Sequence, residues 1–225
     1  MHSKSVAALV VGALAGALGM AIPSAAQQQV RIPSEALQEA QRSLQFLQRL
    51  ESGAEHFKGL GFRSRDEAKS AVLGEPMRLY RVPLDRLREY QAGADPNGLL
   101  VDSNSVIFPL NVGGEHRSSV TVLQQKGKWG IVSLGRPALT KALTETRQRQ
   151  AAATQVPRDA YFAVHVPALG HHFIAYRSGG NLLLVPLTSE PALGWEEGQA
   201  VDAQRAFTAL VPEAKALQTG PEIVN

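Results

Sequence analysis

Three apolar, alternating runs stand almost end to end in this chain: Val106–Val112, His116–Gln124 and Trp129–Leu134. Only Gly113-Gly114-Glu115 separates the first two, and the second turn is built around Lys126-Gly127. Parallel neighbours need a crossover of about a dozen residues or more, so connections this short force an antiparallel meander. The glycines supply the positive φ that tight hairpin turns require. Burial chooses the register. Setting Val112 opposite His116 brings Leu110, Phe108 and Val106 against Ser118, Val120 and Val122. A slip of one residue would face Phe108 with Ser119 and Val106 with Thr121, a poorer match of apolar to apolar. The better register needs a three-residue connection with a glycine-assisted bulge.

The same logic gives a second meander. Tyr161–Val166 and His171–Arg177 flank Pro167-Ala168-Leu169-Gly170, and Leu182–Leu187 follows Gly179-Gly180-Asn181. Between the meanders, Pro137–Gln150 reads as a helix carrying Leu139 and Leu143. Residues 151–157 read as a linker, with a sub-boundary near 150–157. Upstream, Ser34 is placed to cap a helix whose stripe is Leu37, Ala40, Leu44 and Leu47, widened by Phe46 and Leu50 and ended by Gly53. Ser64-Arg65-Asp66-Glu67 is a capping box opening a short helix through Leu73, stopped at Gly74. Met77–Val82 alternates as a strand, and Leu84, Leu87 and Tyr90 mark a helical turn or two. Asp202 is placed to cap a closing helix with Ala206, Phe207 and Leu210, before Pro212. The fold class is therefore α+β: N-terminal helices, an antiparallel meander, a linking helix, a second short meander and a closing helix. Whether the meanders share one sheet is left open at this level.

The start of the chain has the tripartite pattern of an export signal. Met1-His2-Ser3-Lys4 carries one positive charge, Val6–Ile22 is uncharged and apolar, and Pro23-Ser24-Ala25-Ala26 offers small residues for cleavage before Gln27. The expectation is a cleaved signal at 1–26 and one α+β domain over 27–225, exported to the periplasm or the medium. There are 0 cysteines among the 225 residues, so an exported chain of this kind has no disulfides, thiolate metal sites or lipid-modified cysteine. No second apolar run approaches spanning length, so no stable membrane span is expected after cleavage. Loss of Lys4 leaves a small basic excess from the 23 basic and 20 acidic residues. The densest basic cluster, Arg78, Arg81, Arg86 and Arg88, is interleaved with Asp85 and Glu89, which argues for a solvated face and against a nucleic-acid partner.

Several phrases resemble those of an uncharacterised group of exported bacterial proteins. They are Leu73-Gly74-Glu75-Pro76, Ser105–Val112, Gly127-Lys128-Trp129, Val132–Gly135, Val166–Leu169 with Phe173 and Tyr176, and Leu210–Ala214. These are strand and turn phrases spread over most of the mature chain. The resemblance implies a bacterial exported protein with one architecture along its length, and it carries no functional residue.

No catalytic signature is present: no nucleophile elbow, Walker A loop, dinucleotide fingerprint, H-E-x-x-H pair or EF-hand loop. Gly59-Leu60-Gly61 reads as a flexible turn between two helices. In the second hairpin, His165 faces His172 and Val166 faces His171. His165 and His172 thus share a sheet face and are the metal-ligand candidates, but spacing indicates no third ligand. No cofactor is expected. Glu196-Glu197 beside Trp195 reads as a solvated loop with a packed indole. Ser118 and Ser119 beside His116 lack an orienting acid. The leading expectation is a non-enzymatic binding or accessory module for a protein or peptide partner, reached through an exposed sheet edge. The alternative is a secreted hydrolase with a site around His165, His172 and Trp195.

Overall fold

The computed structural model describes residues 31–49, 51 and 54–217. The expected export signal at 1–26 and the helix stop at Gly53 lie outside the described residues. The α+β expectation holds. Among the described residues nine strands form one sheet: β1 (Val72–Leu73), β2 (Met77–Arg81), β3 (Val101–Val112), β4 (Glu115–Gln125), β5 (Lys128–Leu134), β6 (Phe162–Val166), β7 (His171–Ser178), β8 (Asn181–Pro186) and β9 (Val201–Asp202). Their order is β5-β4-β3-β2-β6-β7-β8-β9, with β1 also on β3. All pairs are antiparallel except β2 with β6, which joins the two meanders into a single sheet.

Apolar matching fixes the first hairpin as expected, with Leu110, Phe108 and Val106 opposite Ser118, Val120 and Val122. The turn departs from expectation. Gly113 and Gly114 both take positive φ, 57° and 84°, and form a two-residue loop that pairs Val112 with Glu115. The loop and the apolar pairs demand registers one residue apart, and β4 absorbs the difference as a bulge at Arg117. Arg117 lies close to two carboxylates, Glu67 at 2.9 Å and Glu115 at 2.5 Å.

Helices α1 (Ser34–Arg49), α2 (Ala54–Gly59) and α3 (Arg65–Lys69) cover one face of β3 and β4, where Val106, Phe108, Leu110, Val120 and Val122 are buried. On the same face, α4 (Leu84–Glu89) and α6 (Ala203–Ala216) cover β6–β8 through Leu87, Phe207 and Leu210. The opposite face carries α5 (Pro137–Thr154), whose Leu143 packs with Met77, Ile107, Ile174 and Val185. The site described below lies on this second face.

Four local expectations are corrected. In α1 the buried stripe is Ala36, Ala40, Ser43 and Leu47, while Leu37 and Phe46 are 41% and 66% exposed. Small residues let α1 sit close to the sheet, and at 100° per residue Leu37 and Phe46 fall to either side of that stripe. Ser64 does cap α3, accepting the Glu67 N–H at 3.1 Å, but the helix ends at Lys69. Val72-Leu73 leaves it to pair with β3, and the Gly74 N–H donates to the Pro109 carbonyl at 2.7 Å. The expected linker begins as helix: Ala151–Thr154 extend α5 until Gln155 adopts φ 61°. Alanine favours helix over linker, and the Gln155 N–H closes the last turn on Ala151. Finally, α6 continues through Pro212, whose missing N–H leaves unserved the carbonyl of the exposed Thr208.

Candidate functional site

A cavity of about 330 Å³ lies between the sheet and the first turns of α5. Each of six neighbouring strands contributes to its lining, among others through Ser133 (β5), Thr121 (β4), Ile107 (β3), Leu79 (β2), Ala163 (β6) and His172 (β7). Neighbouring strands lie about 4.8 Å apart, so the lining extends across much of the width of the sheet. Leu139, Thr140 and Leu143 of α5 form the roof.

The start of α5 is pinned to β4. Gly135 exchanges both backbone hydrogen bonds with Ser119, at 2.9 and 3.1 Å, and its carbonyl also accepts from Ser119 Oγ at 2.8 Å. Arg136 follows in the left-handed region at φ 58° and lines the cavity from an exposed position. Its carbonyl takes the Thr140 hydroxyl at 2.9 Å. Among the described residues its guanidinium has no carboxylate partner, and no acid lines the cavity. The walls are otherwise a mixture of hydroxyls, apolar side chains and the imidazoles of His165 and His172.

His165 and His172 meet as the register predicted. Their rings stack at 4.1 Å between centroids and 13° between planes. Lone pairs lie in the ring planes, so stacked rings direct theirs in parallel and do not converge them on one ion. Among the described residues, no group of three His, Asp or Glu is placed to hold a metal. Burial, the stacked partner and the Arg136 charge lower the His165 pKa to about 4. Burial also lowers that of His172, helped by Arg136 and His171 against the opposing pull of the Gly170 carbonyl. His165 is therefore neutral at pH 7, and His172 is predominantly so.

These depressed values set a sign. An unfolded histidine takes up its proton near pH 6.5, and folded His165 does so only near 4. Stability is complete above about pH 6.5 and falls on acidification through the window down to pH 4. With solvent screening, the loss from His165 is about 1–2 kcal/mol. Urea titrations at pH 7 and pH 5 should show a smaller drop in His165→Asn than in the unaltered chain; equal drops would mean His165 titrates normally.

The other candidates lie elsewhere. Trp195 is buried on the opposite face of the sheet, edge-on to His171 at 5.6 Å and Phe173 at 5.7 Å. The sheet therefore separates it from His165 and His172. Glu196 bonds Gln199 at 2.7 Å, and the Glu197 N–H donates to Ser189 Oγ at 2.9 Å. Neither carboxylate reaches the cavity. The bulge at Arg117 turns His116 toward the α5 side with Asn111, whose Oδ1 is 2.6 Å from Nδ1, while Ser118 follows Leu110 into the other core. These two residues thus do not share a face. Of the sheet edges, β9 has two residues, whereas β5 has seven, with Ile131 and Val132 exposed and a bulge at Val132.

Sequence reasoning reached the histidine pair but missed Arg136, Thr121 and Ser133. The available signal was the junction Gly135-Arg136-Pro137, where a strand ends and a helix with proline in its first turn begins. Compared with protein-family models, curated proteins and solved structures, the chain matches none.

Proposed function

We propose that this chain is an exported, non-enzymatic binding or accessory module, and that its guest occupies the cavity beneath α5. One observation carries the reading: six neighbouring strands, partly apolar and partly hydroxylic, line a cavity roofed by a helix and flanked by Arg136, which has no carboxylate partner among the described residues. This is the make-up of a ligand pocket at the lower end of the usual size range. Hydrolysis by a serine or threonine nucleophile needs a hydroxyl bonded to a base, and the cavity supplies no such pair among the described residues. Ser119 Oγ donates to a backbone carbonyl, while His165 and His172 stack on each other. A protein or peptide partner is supported by the β5 edge, because Val132 and Ser133 belong both to that open strand and to the cavity wall. Strand addition there would carry a partner past the cavity mouth.

Native mass spectrometry of protein purified from its own host tests both halves of the proposal. The chain should have the mass of residues 27–225, and an apolar fluorescent dye should bind one per chain. Thr121→Phe, which fills the cavity from a half-buried position, should abolish dye binding. A chain retaining Met1–Ala26 would overturn export, and unchanged dye binding by folded Thr121→Phe would overturn the cavity as the site. Ester turnover lost in His172→Ala would favour the hydrolase instead.

A further inference from the structure

We infer that the cavity takes a small monoanion with an apolar tail, of the alkyl monocarboxylate class, its carboxylate held by Arg136 and its tail lying along Leu79, Ile107 and Leu143. The inference rests on the cavity being the binding site and adds the chemistry of what it binds.

Among the described residues Arg136 is the only Lys or Arg lining the cavity, and it has no acid to neutralise it. Its backbone is held on both sides, by the Gly135–Ser119 bonds before it and by the Thr140 N–H on its own carbonyl at 3.0 Å. From this held backbone the planar guanidinium can offer two parallel donors to a carboxylate. The uncapped start of α5 adds partial charge of the same sign beside it. One fixed cation matches one negative charge; a dianion would ask for a second. The two histidines do not provide it at pH 7, because His165 is neutral there and His172 predominantly so.

The apolar half of the cavity sets the remainder of the ligand. Leu79, Ile107, Leu139, Leu143 and Ala163 present hydrocarbon on the wall and the roof. At about 330 Å³ the cavity lies at the lower end of ligand-pocket sizes, so the tail is one short chain. Arg136 is exposed whereas Leu143 and Ala163 are buried, so the charged head sits at the mouth and the tail points inward. A carboxylate on a short alkyl chain fills this description.

Calorimetry with octanoate, 1-octanol and octylammonium on the mature chain tests the inference. Octanoate should bind one per chain, and Arg136→Gln should weaken it at least tenfold, the scale of one hydrogen bond to a charged group. Arg136→Lys should recover part of the loss. Binding of 1-octanol should not change in Arg136→Gln, and octylammonium should bind more weakly than either. If octanoate and 1-octanol bind alike, and Arg136→Gln alters neither, charge selection is wrong while the cavity remains the site. If neither they nor an apolar dye bind, the cavity reading fails as well.

Discussion

Gly61→Ala is expected to lower the thermal midpoint by about 8–12 °C. Gly61 has φ +97°, and an added Cβ would lie 2.2 Å from the Arg117 carbonyl oxygen and 2.7 Å from Pro137 Cβ. The first contact is with backbone at the β4 bulge, and the second is with the first residue of α5. Neither can swing away as the tip of a long side chain could. Left-handed backbone costs about 1–2 kcal/mol for a residue with a Cβ. Overpacking adds about 1–3 kcal/mol. For a chain of this size each kcal/mol moves the midpoint by about 2–4 °C. Gly59→Ala is the control with opposite sign. Nothing lies within 4 Å of its added Cβ, and its φ is not in the positive range that strains other residues. Restricting the unfolded chain there should stabilise the fold by about 0.4–1 kcal/mol. Two glycines of one short phrase would thus respond in opposite directions under the same calorimetric scan. Equal responses would mean that Gly61 is free to relax.

The second large effect is expected at Arg147. This α5 side chain is 4% exposed and donates to the carbonyls of Pro76 and Glu75, each at 3.0 Å. It also lies 3.6 Å from the Glu75 carboxylate, which Arg158 meets at 3.6 Å from outside. Burial lowers the Arg147 pKa, against the supporting charge of Glu75. The guanidinium ties the connection before β2 to the middle of α5. Arg147→Met would strand two carbonyls beneath the helix and should cost about 3–5 kcal/mol in urea unfolding, with an unchanged slope. Glu75→Gln should cost less than about 1 kcal/mol, because that carboxylate is half exposed and the carbonyl bonds remain. Similar losses in the two variants would make the ion pair, rather than the carbonyl bonds, the anchor.

What could be read in advance divides along physical lines. Hairpins were legible because short connections and period-two apolar patterns are local. The pairs Phe108–Val120 and His165–His172 follow from them, and both are observed. The bulge at Arg117 was misplaced, because it reconciles a loop geometry with a packing preference and neither alone locates it. Leu37 and Phe46 were assigned to the α1 stripe because large apolar side chains weigh most in a pattern, yet alanines made the close contact. The cavity was least accessible. It exists because Leu79 of β2 lies beside Ala163 of β6 and because the start of α5 packs over both meanders at once. Both are long-range facts with no counterpart in local spacing. Trp195 was grouped with the histidines by nearness in sequence, and alternation across β7 puts His171, not His172, on its side.

The parallel seam between β2 and β6 also constrains the order in which the molecule is assembled. A chain emerging N-terminus first can zip β2 against β3 as soon as β3 appears, and β4 and β5 follow by local turns. The far side of β2 must then wait through all of β3, β4, β5 and α5 before β6 arrives. During that interval a half-built sheet shows an open strand to its surroundings, the condition under which chains pair with strangers. The waiting strand carries Arg78 and Arg81, and Pro83 follows close behind it. Charge and proline are what natural sequences place on strand edges to discourage such pairing. Two members of the basic cluster thus lie on a strand that is an edge while the sheet is half built and ends in its middle.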